Sequence, residues 1–274
     1  MLPTQRRQAI LAQVREQAAV SAEDLCRQFG VSVETIRRDL RRLGERGLLE
    51  RVYGGATRPS GRSSEGSFAA RSARHTDRKR AIAALAAALV EPEETLVIDV
   101  GTTALEVARA LPAGFRGRVL TNSVPAAMEL SGRPEVELLL CGGQVRAGDG
   151  ACGGAHADAF FAEFYADRAF LGSGGVHPQA GLTDYYPAEV VTRRTIIDHT
   201  AATYVLADSS KLGEIAVHRV CTLDQVTAVM TDDAENPAAF TALAAAGATL
   251  LRARVPEQPE LTAAGGRPRL TAAP

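Results

Sequence analysis

The sequence predicts an α/β protein with a small N-terminal α+β module. A winged helix-turn-helix occupies residues 1–57 and a linker 58–74. A mainly parallel, Rossmann-like α/β domain follows over 75–255, then a disordered tail over 256–274. Three observations carry this reading. Residues 30–56, GVSVETIRRDLRRLGERGLLERVYGGA, combine a capped amphipathic helix with a short strand and a glycine turn. From Thr95 onward, strand-length apolar runs alternate with helical periodicity, the pattern of a parallel sheet covered on both faces. The charge is also divided. The net charge of −1 hides 17 Lys and Arg against 9 Asp and Glu in residues 1–80, a surplus of +8, which leaves −9 for the remainder. A basic head on an acidic body suits nucleic acid binding by one end only.

The first helix begins near Thr4 and buries Ile10, Leu11 and Val14. Ser21 caps a second, with Asp24 three residues on and Leu25 and Phe29 as its i, i+4 apolar pair. Gly30 supplies the left-handed residue that closes this helix. Ser32 caps the third helix, and Val31 with Ile36 forms a hydrophobic staple across the cap. Val33, Ile36, Leu40 and Leu43 share its apolar face, while Thr35, Arg37, Arg38, Arg41 and Arg42 fall largely off it. After Gly47, residues 48–52 read as a strand and Gly54-Gly55 as its turn.

Exposed arginines and hydroxyls on the second helix of such a pair are what major-groove recognition requires. Guanidinium forks bond guanine edges or phosphates, and Thr35 contacts phosphate or base. The candidate DNA contacts are Ser32, Thr35, Arg37, Arg38, Arg41, Arg42, Arg51 and Tyr53. A solitary basic helix is as readily a solvated face; here cap, turn, second helix and wing agree.

The chain is 46% hydrophobic and lacks Trp. Cys26, Cys141, Cys152 and Cys221 form no C-x-x-C pair and have no histidine pair at zinc spacing, so they read as reduced thiols, and neither metal nor cofactor is expected. The Ala-rich stretch 81–90 is too short to span a bilayer, and no signal peptide precedes the first helix. A cytoplasmic chain without a membrane partner is expected.

In the larger domain a helix starts near Thr76 and ends before Pro92. Strands are expected over 95–99, 118–121, 136–141, 168–172, 203–207, 226–231 and 249–252, and helices over 103–111, 125–131, 156–164, 187–199 and 237–246. Ligands of such sheets bind outside the carboxyl ends of the strands. Glycines and polar residues collect there: Asp99-Val100-Gly101-Thr102-Thr103, Thr121-Asn122-Ser123, Gly142-Gly143-Gln144-Val145-Arg146, Gly172-Ser173-Gly174-Gly175 and Asp208-Ser209-Ser210-Lys211. Glycines permit close backbone approach, and amides at a helix start suit an anionic oxygen. Each turn singly is what any strand-to-helix connection needs; five at one rim point to a ligand site.

Thr35-Ile36-Arg37-Arg38-Asp39-Leu40, with Arg7 upstream and the wing Arg51-Val52-Tyr53-Gly54-Gly55-Ala56, resembles the DeoR family of bacterial transcriptional regulators. The segments 99–103, 121–123, 142–146, 170–174, 181–183 and 206–213 resemble that family's sensor domain, so the likeness covers about residues 4–235. The resemblance implies a sensor similar in fold to ribose-5-phosphate isomerase and glucosamine-6-phosphate deaminase. It also implies a phosphorylated sugar or related metabolite as effector. Gly101, Thr102 and Thr103 would then cradle phosphate, and Asn122, Arg146, Asp184, Glu189 and Lys211 would contact phosphate or hydroxyls. Asp99, Gly142, Gly143, Gly172 and Gly174 complete the candidate effector set. Val100 stands where a small Ser is frequent, and Gly174-Gly175 follows Ser173 where an acid is frequent. Asp39 is expected to orient a neighbouring arginine, because an acid facing DNA would repel phosphate. The implied protein is a repressor of carbohydrate genes that binds double-stranded operator DNA as a homodimer or homotetramer. The rival class is an isomerase-like enzyme using Asp99, Glu189, Asp208 and Lys211 for proton transfer. An effector-independent DNA binder is the third.

Overall fold

A computed structural model describes residues 2–17, 19–45, 48–52, 54–57, 65–232 and 236–256. The N-terminal part runs α1 (Pro3–Gln17), β1 (Ala19–Ser21), α2 (Ala22–Phe29), α3 (Val33–Glu45), β2 (Glu50–Val52) and β3 (Gly55–Thr57). Ser21 caps α2 by accepting the Glu23 N–H, and Gly30 ends it at φ +59°. Asp24, three residues after that cap, pairs with Arg27 on the surface. Ser32 Oγ accepts the Thr35 N–H at 3.3 Å and lies 2.9 Å from Thr35 Oγ1, so the two hydroxyls jointly open α3.

Ile10, Val14, Leu25, Ile36, Leu40, Leu43, Leu49 and Ala56 form one core, with Leu11, Phe29 and Val31 packed against it. Val33, expected on the apolar face, is 42% exposed. It stands in the first turn of α3, and the buried stripe starts at Ile36. The strand expected over 48–52 is shorter, with Leu49 rather than Leu48 turned inward. It joins an antiparallel sheet in the order β1-β3-β2. β1 escapes sequence reading because three residues are too few for any periodicity. Gly55 is required where β3 meets β1, since a Cβ there would lie 1.9 Å from Val20 O.

Asp39 points away from the exposed face of α3. It is 4% exposed and accepts the Nε–H of Arg6 on α1 at 2.6 Å. The expected orienting role thus has Arg6 as its partner, 33 residues away in sequence.

Beyond the head come α4 (Phe68–Ala73), α5 (Thr76–Ala87), β4 (Thr95–Ile98), α6 (Thr102–Ala110), β5 (Gly117–Thr121), α7 (Val124–Leu130) and β6 (Val136–Leu140). A hairpin of β7 (Gln144–Val145) and β8 (Cys152–Gly153) precedes α8 (Ala155–Ala162) and β9 (Ala166–Leu171). Then follow β10 (Gly175–His177), β11 (Gly181–Asp184), α9 (Pro187–Asp198), β12 (Thr200–Leu206), β13 (His218–Cys221), β14 (Ala228–Asp232), α10 (Pro237–Ala245) and β15 (Leu250–Ala253). Within the stretch expected as linker, α4 is helical. Of the tail expected over 256–274, residues 257–274 lie outside the described residues, as do residues 58–64.

Seven parallel strands make one sheet in the order β15-β14-β12-β9-β4-β5-β6. Alternate residues feed two cores: Leu96 and Ile98 pack with Ile82, Val107 and Leu130 beneath α5, α6 and α7, while Val97 packs with Phe161, Ile196 and Leu243 on the opposite face. β5 and β6 extend the sheet to one side of β4, and β9, β12, β14 and β15 to the other. The order therefore reverses between β4 and β9, which opens a crevice at their carboxyl ends. The small antiparallel sheet β10-β11-β13 and the β7–β8 hairpin are additions the periodicity did not predict.

Asp39→Ala would leave the Arg6 guanidinium buried without its carboxylate, a loss of about 3–5 kcal/mol. Chemical denaturation followed by circular dichroism should show the head unfolding early while the sheet domain keeps its transition. An unshifted first transition would deny the pair its structural role.

Candidate functional site

On the head, Arg37, Arg38, Arg41 and Arg42 are exposed along α3, Ser32 and Thr35 stand at its N-terminus, and Arg51 is exposed on β2. Tyr53 lies outside the described residues. The helix thus presents a row of guanidiniums on the face opposite Ile36, Leu40 and Leu43, the arrangement that entry into a major groove requires.

The second site is a cavity of about 270 Å³ at the switch point. Its floor is Val100, Gly101, Thr102 and Thr103 after β4 and Gly172, Ser173 and Gly174 after β9; Leu206, Asp208, Ser210 and Lys211 follow from β12. Arg146 and Asp149 enter from the β7–β8 hairpin, Asp184, Tyr185, Glu189 and Arg193 from β11 and α9, and Glu65, Arg71, Arg74, His75 and Lys79 from the segment that includes α4.

Gly101 caps α6 at φ +123° with no side-chain hydrogen bond to the first turn. That φ favours glycine, and the uncapped amides of Thr102 and its successors are free to meet a ligand oxygen. Two other rim glycines have packing reasons. A Cβ on Gly172 would lie 2.6 Å from Val100 O, and one on Gly174 would lie 2.9 Å from Thr183 O.

Under this floor Arg193 is 2% exposed and binds three carboxylates. Its Nε–H donates to Asp99 at 2.7 Å, its Nη1 to Asp184, and its Nη2 to Glu189 at 3.0 Å. Asp99 also accepts the Gly172 N–H at 3.0 Å and the Asn122 amide at 3.1 Å. Arg146 reaches Glu189 and Asp149 and lies 3.5 Å above the Tyr186 ring centroid. Two guanidiniums thus serve four carboxylates. Burial, with Asp184 and Asp99 nearby, pushes the Glu189 carboxyl up to about 7 despite both arginines. Burial opposes ionisation of Asp184 as well, but Arg193 and the N–H groups of Tyr185 and Tyr186 outweigh it and hold that carboxyl below its ordinary value. Burial, with Arg71 and Lys211 nearby, lowers the Lys79 ammonium to about 8. His75, at φ +53°, is lowered by burial.

Nine of the expected effector residues line the cavity: Gly101, Thr102, Thr103, Arg146, Gly172, Gly174, Asp184, Glu189 and Lys211. Four do not. Asp99 and Asn122 are 0% and 1% exposed and lie beneath the floor, where they lock Gly172 and Arg193 in place. Gly142 and Gly143 turn the chain into the hairpin at φ +68° and +91°, and a Cβ on Gly143 would meet Gly153 O at 2.9 Å. Sequence reasoning missed Arg193, Asp149 and the wall from Glu65 to Lys79. Arg193 had a signal in its i, i+4 spacing from Glu189 on one helix. Lys79 had one in being, with Lys211, one of the two lysines in the chain.

A helix-turn-helix head with an arginine-faced second helix, carried by a parallel α/β domain with a charged cavity at its switch point, defines a DNA-binding regulator with a sensor domain. Residues 6–62 match the DeoR-like helix-turn-helix domain and residues 74–233 the DeoR C terminal sensor domain. The chain belongs to the DeoR family of transcriptional regulators. It is 36% identical to the glycerol-3-phosphate regulon repressor of Escherichia coli K12, over 85% of this chain and 92% of that protein. It is 34% identical to the transcriptional regulator FruR of Bacillus subtilis 168, over 86% and 93%. A putative aga operon transcriptional repressor of Escherichia coli O157:H7 is 30% identical over 84% and 86%. Among solved structures, ribose 5-phosphate isomerase A of Methanocaldococcus jannaschii is 19% identical over 50% of this chain and 54% of that one, with a TM-score of 0.37, a likeness too distant to bear on function. No helix among the described residues is long and apolar enough to cross a membrane.

A carboxyl raised on folding contributes stability that is complete below its unfolded value of about 4.5 and lost as pH rises through about 7. Melting temperatures measured from pH 5 to 8 should therefore fall less steeply for Glu189→Gln than for the parent chain. Identical slopes would mean that Glu189 does not hold a proton near neutrality.

Proposed function

We propose that this protein is a repressor whose grip on operator DNA is controlled by a small phosphorylated sugar or related metabolite bound at the switch-point cavity. In this reading residues 1–57 form the DNA-binding head, 75–255 the sensor, and a homodimer or homotetramer in the cytoplasm places paired heads on spaced half-sites. The open N-terminus of α6 at Gly101-Thr102-Thr103 carries the proposal. Its free amides face a cavity that also receives Lys79, Lys211 and Arg71, the setting an anionic oxygen favours. The same cavity offers the acceptors of Asp184 and Glu189 to hydroxyl groups. At about 270 Å³ the cavity is smaller than most drug-sized sites and suits a small metabolite. The similarity to a glycerol-3-phosphate regulon repressor agrees with a phosphorylated ligand class.

An isomerase reading is disfavoured by the engagement of its carboxylates. Asp99 is fully buried against Arg193, Gly172 and Asn122, and Asp208 caps the turn at Ser210. We place the protein among regulators rather than enzymes.

Arg37→Ala with Arg38→Ala should abolish binding to the operator, read by fluorescence anisotropy, while ligand-induced thermal stabilisation persists. Full operator affinity in the double variant would move the recognition surface off α3. Thr102→Val with Thr103→Val should do the reverse. DNA binding stays, and the stabilisation of about 2.7 kcal/mol that a ligand confers at 100 times its dissociation constant disappears. A retained shift with a sugar phosphate panel would relocate the phosphate site.

A further inference from the structure

We propose that Glu34 is a specificity-determining residue of the head: its carboxylate accepts the N4 amino hydrogen of a cytosine in each operator half-site and so sets the base preferred there. The proposal rests on the reading of α3 as the recognition helix.

Glu34 is the second residue of α3, and it is exposed. At about 100° per residue it stands roughly 160° around the helix from Ile36 and about 180° from Leu43, two residues that face the core. That direction is the middle of the arginine face, beside Arg38 and Arg41. In a helix-turn-helix the N-terminal residues of the second helix are the ones that meet base edges. Glu34 stands at that end of the reading face.

Its polar neighbours in the first turn are engaged in the cap. Ser32 Oγ accepts the Thr35 N–H, and the two hydroxyls lie 2.9 Å apart. Glu34 has no hydrogen bond or ion pair among the described residues. Arg37 and Arg38 stand three and four residues on, the spacing at which such pairs form on a helix, yet neither takes it. The other acids of α3 are placed differently. Asp39 is buried against Arg6, and Glu45 is the last residue of the helix. One exposed carboxylate is thus carried into a face of four guanidiniums, those of Arg37, Arg38, Arg41 and Arg42.

A carboxylate in that place weakens the attraction to phosphate. The loss is offset where it meets a donor on a base edge. The major groove offers two such donors, cytosine N4 and adenine N6. Adenine sets its donor beside the N7 acceptor, which repels a carboxylate, whereas cytosine presents a donor and no acceptor of its own. Guanine and thymine put acceptors forward. Glutamate therefore selects cytosine. A first-turn acid also stabilises the helix N-terminus through its dipole, but that role alone leaves base preference unchanged.

The test is selection from a library of random duplex DNA by the full chain, by Glu34→Gln and by Glu34→Ala, with affinities for the selected duplexes read by fluorescence anisotropy. The parent should select a half-site with a fixed cytosine. Glu34→Gln should keep the rest of the half-site and exchange that cytosine for adenine, whose N6 and N7 a glutamine amide bonds together. Glu34→Ala should lose the preference at that position and bind unrelated DNA more tightly than the parent, because a negative charge has left the interface. Replacing the cytosine by thymine should weaken the parent about tenfold and Glu34→Ala less than about twofold. Identical half-sites from all three proteins, or a change confined to a position that the parent fills with another base, would overturn the role of Glu34 and leave α3 as the recognition helix. Enrichment of no half-site by the parent would remove the recognition helix itself, and this proposal with it.

Discussion

The sensor domain is organised around one buried guanidinium. Arg193 gathers Asp99 from the end of β4, Asp184 from the end of β11 and Glu189 from its own helix, and Asp99 in turn holds the Gly172 amide after β9 and Asn122 after β5. β4 and β9 pair as far as Ile98 and Phe170, and beyond those residues the two chains part into the crevice. The arginine supplies the missing connection with side chains. Stripping water from such a group costs several kcal/mol per ion, which only close and complete hydrogen bonding offsets. That constraint fixes the positions of the carboxylates and the floor above them with little freedom.

The charge balance of the cavity follows from the same cluster. Burial, with Asp184 and Asp99 nearby, pushes the Glu189 carboxyl up to about 7 against the pull of Arg193 and Arg146. The cavity is thus lined by the acceptors of Asp184 and Glu189 together with Lys79, Lys211 and Arg71.

The head repeats the device on a smaller scale. Its core of short aliphatic side chains is joined across α1 and α3 by Arg6 and Asp39. The pair fixes the angle at which α3 presents its arginines, and it turns the one acidic side chain in the Arg37–Arg42 stretch inward, away from the exposed face. Positioning and electrostatic selection are met by a single contact.

The helices and strands of the larger domain were legible because each carries a local signal. Continuous apolar runs such as Leu96-Val97-Ile98, prolines at the starts of α9 and α10 and serine caps such as Ser123 mark them within a few residues. The head was equally legible from Gly30, Ser32 and the spacing of Ile36, Leu40 and Leu43. Short antiparallel pieces such as β1, β10 and β13 were not, because three or four residues establish no period and their partners are distant. The rim glycines announced a site, but sequence alone did not separate those that face the cavity, such as Gly101, from Gly142 and Gly143, which turn a hairpin. The sequence by itself determined the elements, the charge division and the family. The tertiary structure alone decided that Arg193 binds three carboxylates, that Asp99 lies under the floor and that α4 closes one wall. Those are contacts between residues up to 94 positions apart, made by side chains whose burial no local pattern specifies.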